Sequence, residues 1–191
     1  MQELLKANIP IDASKAASIL RNRKGVGGAE LGLANEMAIN QFIAHHSVIF
    51  QPEKKLMWVS TSPWQCGKYV AYDLNRIFSD SIDFNHEIYT GDLTLPADSF
   101  LQQQEYQQLM AYKRLAPVLR KQIKKKERLD EQTLHAFQHA NPHFFYVYEL
   151  LGDYYHATGQ QDKALRNWKK ALLLPIPKRS ESERIEHKIN R

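Results

Sequence analysis

A single cysteine, Cys66, leaves no partner for an intramolecular disulfide and no basis for a cysteine-built zinc site. Long apolar runs are missing too. None approaches the roughly 18–20 residues that a membrane span needs, so no spanning segment is expected. The N-terminal stretch Met1-Gln2-Glu3-Leu4-Leu5-Lys6 lacks the basic and apolar regions of a secretory signal, so an exported form would carry its signal outside this sequence. The compartment stays open on these grounds. Glycines gather in one loop, Gly25, Gly27, Gly28 and Gly32, but without GxGxxG spacing, a Walker lysine-serine pair or a clear preceding strand. A nucleotide site is not expected there, and no cofactor is implied.

What is present is an ordinary globular balance. Hydrophobic residues make up 43% and charged residues 25% of 191, enough for one domain or two small ones. The net charge of +5 is uneven. Lys121, Lys124, Lys125, Lys126 and Arg128 form one cluster; Lys178, Arg179, Arg184, Lys188 and Arg191 form another. Neither carries the aromatic-glycine pattern of a nucleic-acid module, so both read as solvated helix faces, with no nucleic-acid partner.

The pattern changes near residue 95. Before it, Asp12 is placed to cap a short helix over Ala13 to Leu20. Asn40 to Phe50, Leu56 to Ser62 and Gly67 to Leu74 read as three strands of an antiparallel meander. Gln51-Pro52-Glu53-Lys54-Lys55 makes the first turn, and Pro63 ends the second strand. Nothing in residues 1–95 supplies a second sheet, so this half is expected to be part of a larger sandwich.

From Pro96 onward the spacing is helical. One helix runs from about Asp98 to Arg114, Pro117 interrupts it, and a second begins at Val118. Asp130 is placed to cap Glu131 to His139, and Asn141-Pro142 closes that segment. Tyr148, Leu151, Gly152, Tyr155, Gly159, Ala164, Trp168 and Ala171 resemble one tetratricopeptide repeat. In that pattern Gly152 and Ala164 let two antiparallel helices approach, Gly159 turns the chain, and Tyr148, Tyr155 and Trp168 fill the groove. One repeat cannot bury its own faces. Residues 99–139 could form a degenerate neighbour and Ser180 to Asn190 a capping helix.

A second resemblance lies earlier. Arg21-Asn22-Arg23-Lys24-Gly25, Gly32-Leu33-Ala34-Asn35, Ala38-Ile39-Asn40, Ala44-His45-His46-Ser47-Val48-Ile49-Phe50, Leu56-Met57-Trp58-Val59-Ser60, Pro63 and Gly67 through Leu74 resemble, in order, the C-terminal part of the acyl-coenzyme A:6-aminopenicillanic acid acyltransferase-like family. Leu95-Pro96-Ala97-Asp98 resembles the segment after its catalytic domain. These are N-terminal-nucleophile (Ntn) hydrolases related to choloylglycine hydrolases. The resemblance implies an α+β fold: an antiparallel meander from an Ntn-type αββα sandwich over residues 1–95, then a TPR-like helical region over 96–191.

It also implies a chemistry. A cysteine exposed by self-cleavage, with its own α-amine as base, attacks a linear amide or thioester carbonyl over an oxyanion hole. Cys66 is not N-terminal and reads as a small, partly buried thiol. The expectation is therefore a C-terminal fragment, or a separately encoded half, that is inactive without the nucleophile-bearing half. On the family's pattern, His46 and Ser47 are the candidate site residues: His46 to hydrogen-bond a substrate carbonyl or hold a neighbour, Ser47 to support the nucleophile's amine. Alternatively one points into the sandwich and the other pairs with backbone. Asn35 and Asn40 can cap or turn the chain, and Trp58 and Trp64 read as core or pocket wall. His135, His139 and His143 recur every four residues, but Pro142 interrupts them and no metal site is expected. The expected partner is the N-terminal catalytic half, or another protein bound through the helical repeat. The alternative is a TPR-like interaction adaptor without catalysis. An enzyme part should leave a large apolar sheet face uncovered, whereas an adaptor should cover it.

Overall fold

Asp12 starts the first packed helix: its carboxylate accepts the Lys15 N–H at 2.8 Å, satisfying one of the free donors of a helix start. In the computed structural model, which describes residues 1–79, 83 and 85–190, the chain is a mixed α+β protein. The described residues form eight helices and a three-stranded antiparallel sheet, about 53% helix. They divide into two units, one of residues 1–26 and 38–101, the other of residues 27–37 and 102–191. Arg191 of the C-terminal basic cluster lies outside the described residues.

The first unit holds α1 (Gln2–Ala7), α2 (Ala13–Leu20), β1 (Val48–Gln51), β2 (Leu56–Ser60), β3 (Tyr69–Asp73) and α3 (Leu74–Ile77). The strands follow the order β1-β2-β3 as a meander. Register aligns Ile49, Trp58 and Ala71 across the sheet. That row is buried, with Ala13, Ala16, Ala17 and Leu20 of α2 packed against it. Alternation sends Val48, Val59 and Val70, and then Phe50, Met57 and Tyr72, to the opposite face. None of those six is buried, and Val48 and Phe50 are exposed at 40% and 64%.

The first strand is much shorter than the expected Asn40 to Phe50. The Asn40 carboxamide accepts the Phe42 N–H at 3.0 Å, and Phe42 lies in the left-handed region at φ 54°. This local turn takes the backbone out of extended geometry until Val48. Trp58 is core: its indole N–H donates to the Leu93 carbonyl at 2.8 Å. Trp64 is half-buried, edge-on to Phe42.

The second unit holds α4 (Gln104–Lys125), α5 (Glu131–Ala140), α6 (Phe145–Ala157), α7 (Gln161–Leu172) and α8 (Arg179–Ile189). Asp130 caps α5 as expected, accepting the Thr133 N–H at 2.7 Å. Pro117 does not separate two helices; it sits inside α4. An internal proline costs about 3 kcal/mol. Leu109, Tyr112, Ala116 and Leu119 form one buried stripe along α4, and each large apolar side chain contributes about 1.5–3 kcal/mol by burial. Continuous packing outweighs the lost hydrogen bond. The helix ends at Lys126, left-handed at φ 57°.

The pair α6–α7 follows the expected spacing. Gly159 turns the chain at φ 77°, and a Cβ on Gly152 would stand 2.3 Å from the Trp168 indole. Tyr148, Ala164, Trp168 and Ala171 are buried. Tyr155 departs from expectation: it is half-buried under the Lys163 ammonium, and Tyr154 is the enclosed ring. Residues 27–37 fold with the helices. Asn141 holds both backbone groups of Leu33, at 2.9 and 2.7 Å, and Asn35 donates to the carbonyls of Leu31 and Pro175. A Cβ on Gly32 would meet the Phe144 backbone at 2.5 Å. Close packing, not phosphate, accounts for that glycine.

α8 covers α7 and buries Ile185. It also brings Arg184 and Lys188 to Glu149, a carboxylate 2% exposed on α6. Lys188 bridges onward to Asp153 at 2.8 Å, and Asp153 accepts the Trp168 indole N–H at 3.0 Å. Burial alone would raise the Glu149 pKa, but hydrogen bonds from Arg184 and Lys188 outweigh it and hold the group below its ordinary value. A depressed carboxylate contributes stability above its unfolded pKa of about 4.3 and loses it as pH falls through the folded value.

Two outcomes follow for the helical unit. Gly152→Ala gains about 1 kcal/mol of helix propensity but forces a rigid indole aside, so a net loss of about 1–2 kcal/mol is expected in urea unfolding. Glu149→Gln should lower stability at pH 7 and flatten the acid limb below about pH 4.3 relative to the parent. Parallel denaturation curves at the two pH values read the difference directly.

Candidate functional site

The polar centre of the first unit is a row across the sheet, just beyond β1. Ser47 precedes β1, and Ser60 ends β2 opposite it. The Ser47 N–H donates to the Ser60 hydroxyl at 2.8 Å, and the Ser60 N–H donates to the Ser47 carbonyl at 2.9 Å. Tyr69 opens β3 in register with Ser60. Its ring is fully buried, and its hydroxyl is hydrogen-bonded to the Ser47 hydroxyl. Burial raises the Tyr69 phenol pKa, opposed by the Ser47 bond and the nearby Arg21 charge. The phenol therefore stays protonated at neutral pH.

Arg21, the residue closing α2, holds this row from one side. Its guanidinium lies 5.0 Å from the centre of the Tyr69 ring. It donates to the carbonyls of Gly67 at 2.6 Å, Pro96 at 2.9 Å and Gln65 at 3.4 Å. The Gln65 carboxamide returns a bond to the Leu20 carbonyl at 2.7 Å. Helix end, loop and the segment after the sheet are thus tied together.

The expected site residues fall at the edge of this network. His46 is exposed, and its Nδ1–H donates to the Ser60 carbonyl at 3.2 Å. Because that carbonyl can only accept, Nδ1 carries the proton and the neutral ring presents Nε2 as an acceptor. Ser47 is half-buried, its hydroxyl engaged by Tyr69. His45 is exposed, and no hydrogen bond joins either histidine to Cys66 among the described residues.

Cys66 is fully buried, and its sulfur accepts from the Asn40 carboxamide at 3.3 Å. Burial pushes the thiol pKa up, which removes thiolate at neutral pH. Elsewhere, His135 and His139 stack 3.9 Å apart, and His139 is tied to the His135 carbonyl. Among the described residues no group of three or more histidine, cysteine or acidic side chains is arranged to hold a metal ion.

Sequence reasoning reached His46 and Ser47 but missed Ser60, Tyr69 and Arg21 as one constellation. The only signal for it is strand register, which aligns residues 47, 60 and 69. Comparisons with protein-family models, with curated proteins and with solved structures found no match.

Ser47→Ala strands the buried Tyr69 hydroxyl and should cost about 1–3 kcal/mol. Tyr69→Phe removes the hydroxyl itself and leaves Ser47 in reach of water, so it should cost less. Equilibrium unfolding of both single variants tests that order.

Proposed function

We propose that this chain is the C-terminal portion of an Ntn-type acyltransferase or amidohydrolase acting on linear amides or acyl thioesters. Its nucleophile comes from a segment outside this sequence. The supporting observation is the outer sheet face. Val48, Phe50, Met57, Val59, Val70 and Tyr72 form two apolar rows, of which Val48 and Phe50 are exposed and the other four half-buried. A sheet with a helix on one face and apolar rows on the other is half of a layered structure. In this reading the second sheet, carrying the nucleophile, covers that face.

The chemistry runs through the partner's N-terminal cysteine. Its α-amine takes the thiol proton, the sulfur attacks the carbonyl, and the amine or thiol of the substrate leaves with a proton. The resulting acyl-enzyme passes its acyl group to water or an amine. His46 would act at the edge of this site. With Nδ1 held by Ser60, its Nε2 accepts when neutral and donates to a carbonyl only as imidazolium. Ser47, fixed by Tyr69, would support the nucleophile's amine. Cys66 takes no part.

The helical unit has a separate role as a TPR-like region that recruits a protein partner. The close approach of Gly152 to Trp168 and the buried Ala164 favour that reading of α6 and α7. An adaptor without catalysis is what remains if the enzymatic reading fails.

Alone, the chain should bind a hydrophobic dye at the outer face. Phe50→Lys should weaken dye binding while shifting the melting midpoint by only about 2 °C. Co-expressed with a nucleophile-bearing segment encoded beside it, the chain should cleave amides or thioesters, and His46→Ala in that complex should lower kcat about 100-fold. A folded chain that binds no dye, or stable complexes that cleave neither substrate class, would overturn the enzymatic reading.

A further inference from the structure

The four-residue spacing that links His135, His139 and His143 in the sequence survives in the structure only for the first two. His135 and His139 lie one turn apart on α5 and are both exposed. Their ring centres stand 3.9 Å apart, with the planes 29° from parallel. His143 falls outside the pair: α5 ends at Ala140, and Asn141 leaves helical geometry at φ −157° and ψ 69°. Glu131, one turn before His135, is engaged by the Lys163 ammonium at 3.3 Å.

One ring has its proton fixed. The His139 Nδ1 lies 2.9 Å from the His135 carbonyl. A carbonyl can only accept, so Nδ1–H donates to it and Nε2 keeps its lone pair. An imidazole whose second nitrogen donates to a backbone carbonyl has the form that metal-ligating histidines take. The His135 ring hydrogen-bonds no described residue, so its tautomer is set by whatever ligand it meets.

We infer that His135 and His139 together bind one late first-row divalent ion, such as Ni²⁺ or Zn²⁺, on the surface of α5. Two nitrogens held to one ion at about 2.0–2.1 Å each stand no more than about 4 Å apart. Rings whose centres are already 3.9 Å apart meet that limit by turning about exposed side-chain bonds, a motion of picoseconds to nanoseconds. The run His135-Ala136-Phe137-Gln138-His139 has the histidine spacing of zinc-binding helices, which puts both rings on one face. Ala136 stands where zinc proteases of that spacing carry a glutamate base, so the pattern supplies binding without their chemistry. Imidazole nitrogens select these ions over Mg²⁺ and Ca²⁺, which take oxygen ligands. With two ligands from the protein, water fills the remaining positions and the ion exchanges with solution. The inference is independent of the catalytic reading, because it uses α5 alone.

The test is an NMR titration of the full chain with Zn²⁺ and Ni²⁺, read at the imidazole ring protons. The His135 and His139 signals should shift or broaden together along one saturating curve and should ignore Mg²⁺ at matched ionic strength. His135→Ala and His139→Ala place the best helix former at exposed helical positions, so both variants should fold. Each should weaken binding at α5 at least about tenfold, since loss of a ligand costs no less than loss of an outer-shell partner. Adding Ala136→His to the His139→Ala chain restores the number of histidines but sets the two rings about 100° apart around the helix. That chain should stay as weak as the single variant. Saturation by either ion with these losses supports the site. No saturation at the two rings, an unchanged curve in the single variants, or full affinity in the displaced pair overturns it and leaves an adventitious ion only.

Discussion

The first unit depends on the Arg21 guanidinium. Three carbonyls, from Gln65, Gly67 and Pro96, converge on one planar cation at the end of α2. Each carbonyl belongs to irregular backbone with no strand partner to satisfy it. For the part-buried Gln65 and Gly67 carbonyls, going without a donor would cost about 1–3 kcal/mol each, and a hydrogen bond to a charged donor returns about 1.5–3 kcal/mol; the exposed Pro96 carbonyl gains less. Lysine could not replace this geometry, because a point ammonium lacks the planar fork that reaches several acceptors at once. The clamp fixes the loop after β2, which in turn sets the start of β3 and the position of Tyr69.

From that constraint the sheet acquires two unlike faces. The inner one is finished: Ile49, Trp58 and Ala71 under a helix face of small residues, with the Ser47–Ser60–Tyr69 row closing one end. Alanines on α2 let its backbone sit close to the sheet, which a leucine-rich helix could not do. The outer face has the same kind of residues, but none of them is buried: Val48 and Phe50 are exposed and Met57, Val59, Val70 and Tyr72 half-buried. Valines and aromatics in cross-strand rows stabilise strand pairing by about 0.2–1 kcal/mol per pair even when wet. That gain explains why the sheet holds its register. It does not explain why the face is apolar, since threonine and charged pairs would serve an exposed sheet as well. An apolar face is informative because a solvent-facing sheet has no need of it.

Much of the chain was legible from local signals. Asp12 and Asp130 cap the helices they precede, the three strands pair as a meander, and the Gly152, Gly159, Ala164 and Trp168 spacing is a close helix pair. These depend on neighbours within one or two turns. What the sequence hid depends on contacts between distant residues. The first strand shrank because Asn40 and Phe42 bend the chain, a turn that its β-branched and aromatic content masks. Pro117 is tolerated because the buried stripe of α4 continues beyond it. Residues 27–37 fold with the helices because Asn141, more than a hundred positions later, holds Leu33. The candidate site was half visible: His46 and Ser47 lie in a recognisable run, but Tyr69 and Arg21 join them only through register and the clamp. The acyltransferase-like and TPR-like resemblances are readings of the sequence alone.

Cys66 shows why residue type is a poor guide to chemistry without its surroundings. A nucleophilic thiol needs a nearby cation or base, solvent access and a depressed pKa. Cys66 has none of these in usable form. It is enclosed, its sulfur accepts from a neutral carboxamide, and burial outweighs the distant help of Arg21 and Arg23. The positive charge that could have activated it is committed elsewhere, Arg21 to carbonyls and Arg23 to Asp98. The same commitment makes the thiol a packing element, holding Asn40 where the turn before β1 begins. The enclosed, hydrogen-bonded thiol of Cys66 is thus built for packing and not for nucleophilic attack.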